Sequence, residues 1–182
     1  MNKQELKIYL LEYKKNRLTK LATEMIAEFR TAPERWSALH EISICIDSHP
    51  YQEYASWLCG HLVEELYSGS NTYRIEEMTD SWLLTENQSV RRNLLKIILK
   101  VQPEHRNGEV LDRVLHYLGS PDEAIAIRSY SFSMLTSILK DYPGLTHEID
   151  AIVDAFPELF KMPALQSCLK RYSRLKEIPI IN

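Results

Sequence analysis

The sequence predicts an all-α protein, a short right-handed α-α superhelix of stacked helical hairpins. Three observations lead there. Apolar residues recur at intervals of three and four along the 182-residue chain, the period of an amphipathic helix. No alternating stretch long enough for a strand exceeds four residues. Only five glycines are present, which disfavours β-sandwiches and Gly-rich nucleotide folds. The length suits one domain over residues 1–182 and allows a sizeable core.

The stripes follow in chain order. Leu6, Leu10 and Tyr13 open the chain, then Leu18, Leu21, Met25 and Phe29. Trp36, Leu39, Ile42 and Ile46 come next, followed by Leu58, Leu62 and Leu66. Leu94, Leu95, Ile98 and Leu99 form a further stripe, as do Leu111, Val114, Leu115 and Leu118. Met134, Leu135, Ile138 and Leu139 precede Ile149, Ile152, Val153 and Phe156. Leu165, Leu169, Tyr172 and Leu175 close the series. Nine or ten helices joined by short loops are expected.

Local signals place the breaks. Ser120-Pro121-Asp122-Glu123 has the residues of a capping box, with proline at the first helical position. Thr85-Glu86-Asn87-Gln88 is a second such box, and Pro33 suits a helix start. Ser68-Gly69-Ser70-Asn71 is a loop by composition. Pro50, Pro103 and Pro143 are expected to end helices, because proline lacks the N–H and clashes with the preceding turn.

Aligning those three prolines exposes a repeat. Ile42, Leu95 and Leu135 share one position, and Ile46, Leu99 and Leu139 another. Ile98-Leu99-Lys100-Val101-Gln102-Pro103 matches Ile138-Leu139-Lys140-Asp141-Tyr142-Pro143 closely. Gln88-Ser89-Val90-Arg91-Arg92-Asn93-Leu94-Leu95 resembles the start of the second helix of a HEAT repeat, and Ala126-Ile127-Arg128 begins another. The resemblance is clearest over residues 74–176. It implies stacked helix pairs that complete one another's cores and offer a concave surface to a partner. The chain also resembles small HEAT-like proteins of the Bacteroidota type, some of which carry the name adenylosuccinate lyase. That lyase superfamily has a Gly-Ser-Ser-x-Met-Pro-x-Lys loop. Here Lys161-Met162-Pro163-Ala164 lacks both the serines and the lysine after proline.

Composition excludes several classes. The net charge of −3 lowers the expectation of a dedicated duplex binder. Cys45, Cys59 and Cys168 are widely spaced and suit reduced core positions rather than a disulfide framework. Met1 to Leu11 has no apolar h-region, and no apolar run reaches membrane-spanning length. A cytoplasmic protein without a membrane partner is the expectation.

Reactive constellations are sparse, and neither catalytic residues nor cofactors are assigned. His40-Glu41 and His61 with Glu64 and Glu65 are the only histidine–acid clusters on predicted helices. They lack the paired histidines of a zinc protease and read as exposed helix pairs. Gly-x-Ser-x-Gly and the Gly-rich phosphate loops are missing.

Charge is more informative. Residues 31–87 set two cations, Arg35 and Arg74, against ten acids, and they hold all three tryptophans. An acidic surface with Trp36, Trp57 and Trp82 exposed would suit a basic or amphipathic protein; the alternative is a solvated acidic face over a tryptophan core. Arg91, Arg92, Lys96 and Lys100 share one predicted helix, with Arg92, Lys96 and Lys100 four apart. That stripe reads either as a solvated face or as a phosphate-contacting one. HEAT-like alkylation-repair glycosylases resemble the second case, with Asp122 as the nearest acid. The expected function is a non-enzymatic scaffold binding a protein or peptide in its groove through Trp36, Trp57, Trp82, Arg91, Arg92, Lys96 and Lys100. A nucleic-acid binder is the alternative.

Overall fold

The computed structural model describes residues 2–15, 20–67, 74–101, 108–139 and 141–176, without the side chains of 13–15 and 20–22. The expectations at Leu18, the loop 68–71, Pro103 and Lys140 lie outside the described residues, and those at Tyr13 and Leu21 concern side chains that are not described. All regular structure among the described residues is helical: eleven α-helices and two 3-10 turns. That is one or two more than the nine or ten expected, because Val63–Tyr67 forms a separate five-residue helix and Arg74–Leu84 is a helix that no stripe marked. The chain divides into two compact units, Met1–Glu104 and His105–Asn182.

The first unit opens with α1 (Lys3–Lys15) and α2 (Lys20–Arg30). Asn2 caps α1: its Oδ1 accepts from the Gln4 and Glu5 amides at 3.0 and 2.9 Å. Glu5 accepts in return from the Asn2 amide at 2.8 Å, which completes a capping box. Pro33 starts a 3-10 turn, Pro33–Arg35, as its fixed φ favours. The turn leads into α3 (Trp36–Ile44), followed by α4 (Tyr51–His61) and α5 (Val63–Tyr67). Then come α6 (Arg74–Leu84) and α7 (Gln88–Val101). Leu39, Ile42, Leu58, Leu62, Met78, Leu94 and Leu95 are fully buried between these helices. Each such side chain stabilises the fold by about 1.5–3 kcal/mol relative to exposure.

Four polar contacts define how this unit repeats. Arg74 donates to Ser37 at 3.3 Å, and His40 bonds Glu77 at 2.9 Å. Asn93 donates to Ser56 at 3.2 Å, and Lys100 donates to Glu64 at 3.0 Å. The partners are separated by 37, 37, 37 and 36 residues. Because the offset is nearly constant, α6 runs parallel to α3, and α7 runs parallel to α4. The hairpin α3–α4 therefore stacks on the hairpin α6–α7, and this stacking supplies the missing face of each core.

The second unit contains α8 (Gly108–Gly119), α9 (Ile125–Ser137), α10 (Leu145–Ala155) and α11 (Pro163–Lys176). A 3-10 turn, Leu159–Lys161, precedes α11. Here Ser129 meets Cys168 at 3.3 Å across 39 residues. Phe132 lies edge-on to Phe160 at 5.7 Å and tilted against Tyr172 at 5.6 Å. So α11 runs parallel to α9 at a similar offset. Tyr172 then donates to Asp150 at 2.9 Å and ties α11 to α10.

Several local expectations need correction. The proline alignment mixes two kinds of helix. Pro50 stands at the N-cap of α4, six residues beyond the end of α3, and α3 is the first helix of its hairpin. By contrast, α7 and α9 are second helices. Ile46 lies past the end of α3 and is 43 % exposed, so it leaves the core stripe. Helix α7 is capped by Asn87, whose Oδ1 accepts from the Val90 amide at 3.1 Å, rather than by Thr85. Helix α9 starts at Ile125, not Pro121; residues 121–123 form a turn, and Glu123 accepts from the Ala124 amide instead.

Candidate functional site

The residues singled out from the sequence separate into three environments. Trp82 is 0 % exposed in the core of the first unit, so it is corrected from surface anchor to core residue. Its helix, α6, buries it together with Ile75 and Met78 at helical spacing. Trp36 is half-buried on α3, and its indole N–H donates to the Phe29 carbonyl at 2.8 Å. Trp57 is half-buried on α4, where its ring lies 4.3 Å from that of His61.

The remaining residues belong to α7, beside α4. Arg91 is half-buried and donates to the Thr85 carbonyl at 3.1 Å, which ties the loop before α7 to the helix. Arg128 at the start of α9 is also buried; desolvation lowers its pKa, against the pull of Glu123 and Asp122. Arg92, Lys96 and Lys100 are exposed. Each step of four along the helix advances about 6 Å, so the three cations form a row.

The parallel packing of α4 and α7 joins this row to an aromatic pair. Partial burial, and then the Lys96 ammonium, hold the His61 pKa below the usual histidine value. Lys96 therefore acts on the histidine whose ring lies tilted against that of Trp57. One step further on, Lys100 pairs with Glu64 and holds that carboxyl below its ordinary range. One surface thus carries Trp57, His61, Arg92, Lys96 and the Lys100–Glu64 pair.

A second constellation lies between α3, α5 and α6. It surrounds a pocket of about 220 Å³. Pro33, Trp36 and Leu66 make its apolar wall, and Ser37, His40, Tyr67 and Arg74 its polar lining. His40 is 1 % exposed. Its Nε2 meets the Glu77 carboxylate at 2.9 Å, and its Nδ1 meets the Tyr67 hydroxyl at 3.1 Å. An ionised carboxylate only accepts, so Nε2 carries the proton and Tyr67 donates to Nδ1. Burial lowers the His40 pKa, and Arg74 adds to that, while Glu77 opposes it. Tyr67 is raised well above its ordinary value, mainly by burial.

With both ring nitrogens held by protein groups, His40 positions its neighbours and has no lone pair for a substrate proton. Burial pushes the Cys59 thiol up to about 11, which makes it inert as a nucleophile. Sequence adjacency pairs His40 with Glu41, whereas the structure pairs it with Glu77. The signal that finds this pairing is the 37-residue register.

Among the described residues, no three His, Cys, Asp or Glu side chains converge as a metal site. None of the described helices is long and apolar enough to cross a membrane. Asp122 is exposed in the turn before α9. A model of the HEAT repeat domain family matches residues 14–176. No curated protein and no solved structure matches the chain.

Proposed function

Since the chain belongs to the HEAT repeat domain family, we propose that it is a non-enzymatic intracellular scaffold that holds a protein or peptide partner on its helical repeats. One observation carries the reading: the Trp57–His61 pair beside the exposed Arg92, Lys96 and Lys100 on two parallel helices. Aromatic and arginine anchors supply most of the energy of protein interfaces, and surrounding charges set the approach rate and the register. The fitting partner presents an apolar group to Trp57 and carboxylates to the cationic row. Lyase activity is not part of this proposal, because Met162-Pro163 lacks the flanking serines and lysine of that signature.

The test is capture of partners by the tagged protein, with and without nuclease, compared with a Trp57→Ala, Arg92→Ala, Lys96→Ala variant. A partner that survives nuclease and is lost by the variant supports the scaffold. A partner retained equally by the variant refutes the placement of the contact.

The same row favours one second reading, contact with nucleic-acid phosphates, for which Trp57 supplies a stacking ring. Three phosphate contacts predict that log K falls with log salt at a slope of about −3 on duplex DNA. Capture that vanishes with nuclease, together with such a slope, would favour this reading.

A further inference from the structure

We propose that the α4–α7 surface binds an acidic protein segment more tightly as pH falls, because His61 takes up a proton when carboxylates settle on Arg92 and Lys96. This regulation presupposes that the same surface holds the partner.

The register brings these groups together. Asn93 is bonded to Ser56 and Lys100 to Glu64, so the stretch between the two ties is held in fixed alignment. Midway along it, Gly60 faces the Ile97 side chain, which lies 3.8 Å from where a Cβ would stand. Their chain neighbours, His61 and Lys96, are both exposed, and the ammonium of one acts on the ring of the other. Trp57, one turn before His61 on the same helix, holds its ring 4.3 Å away at 54°.

The other charged groups on the helices packed against α4 are engaged elsewhere. Lys100 is paired with Glu64, and Glu65 of α5 with Arg30. On α3, His40 bonds Glu77, and Glu41 pairs with Lys3 of α1. Lys7 of α1 lies over Tyr51, at the opposite end of α4. Lys96 is the charge that acts on His61, and with partial desolvation it favours the neutral ring.

Carboxylates arriving on Arg92 and Lys96, about 6 Å apart along α7, offset that field. The titration midpoint of His61 then rises on binding. A group with a higher pKa in the complex than in the free protein takes up protons as the complex forms. Affinity therefore grows as pH falls through the midpoint of the complex, and the gain vanishes well above it. An acidic segment keeps its own charge over this range, since Asp and Glu titrate near about pH 4.

The experiment uses the full chain and, as probe, an acetylated and amidated peptide of six aspartates and one leucine. NMR follows the Trp57 indole N–H and the His61 Cε1–H, the latter assigned with His61→Gln. The His61 midpoint is expected to rise when the peptide saturates the protein. Affinity is expected to be at least about threefold greater at about pH 5.8 than at about pH 7.8, the equivalent of about half a pH unit in that midpoint. A gain retained in full by His61→Gln overturns the assignment to His61. A Trp57 signal that moves equally at both pH values, with the His61 midpoint unchanged, overturns the coupling and leaves the surface as the contact. A Trp57 signal that stays still at both overturns the contact itself, and the coupling with it. Tighter binding of a single-stranded oligothymidylate than of the peptide at both pH values overturns the acidic-protein partner and assigns the surface to phosphates. One arm needs no ligand: Lys96→Gln is expected to raise the His61 midpoint of the free protein, and an unchanged midpoint overturns the coupling.

Discussion

Asn93 offers the most direct test of the 37-residue register. It is 8 % exposed on α7, and its amide nitrogen donates to Ser56 Oγ at 3.2 Å and to the Glu53 carbonyl at 3.3 Å, both on α4. These lengths are at the long end for N–H···O bonds, so each contributes about 0.5–1 kcal/mol net. Asn93→Ala removes both bonds and part of the packing, for a loss of about 2 kcal/mol. In Ser56→Ala, the bond from Asn93 to the Glu53 carbonyl remains, so the loss is about 1 kcal/mol. Only the Asn93–Ser56 bond is shared, so the double mutant is expected to show a coupling of about 0.5–1 kcal/mol. The assay is urea denaturation of the four proteins by circular dichroism, with equal slopes confirming a common unfolding reaction. Strictly additive losses, with coupling below about 0.3 kcal/mol, would refute the bond as a tie between the two repeats.

Three further outcomes follow from the structure. Gly60 lies inside α4, and an added Cβ would meet Ile97 at an ordinary 3.8 Å. Gly60→Ala is therefore expected to stabilise by about 0.5–1 kcal/mol, and a lowered melting temperature would contradict this. Burial keeps His40 neutral in the fold, so the unfolded chain takes up that proton first as pH falls. This contribution is complete above about pH 6.5 and is lost below it, so His40→Gln should flatten stability against pH between about 7 and 5. His61 shifts in the same direction, which makes His61→Gln the necessary comparison; an unchanged slope in His40→Gln would exclude His40 as the source. Finally, half-buried Cys45 should react with a thiol reagent in the native state, while buried Cys59 and Cys168 wait for unfolding. Rapid labelling of all three thiols would contradict their burial.

The sequence was most legible where one helix face decides the outcome. On α7, Leu94, Leu95 and Ile98 go inward and Arg92, Lys96 and Lys100 outward, as the period requires. Trp82 was not legible, because an aromatic count in an acidic segment does not separate core from surface. The caps went astray for a different reason. Thr85, Asn87 and Ser120 are all competent acceptors, and tertiary packing chooses which residue leaves the helical conformation. The pocket required knowing that Ser37 lies beside Arg74 and His40 beside Glu77. Proline spacing gave the wrong offset, since Pro50 starts a helix instead of ending one. Once α3 and α6 are placed in parallel register, all four residues converge.

The unlike partners across that register also give the repeats an order. If a second copy of α3–α4 settled where α6–α7 belongs, His40 would meet a histidine in place of Glu77, and Glu64 would lose its lysine partner. The donors supplied by Arg74, Asn93 and Lys100 would be missing. Polar groups left without their partners oppose the contact, whereas Glu64 with Lys100 favours the native one. The joint is keyed: the α3–α4 hairpin fits its successor in the chain and discourages its own duplicate. Such keying obstructs the head-to-tail addition of further molecules that turns a stackable surface into an open filament.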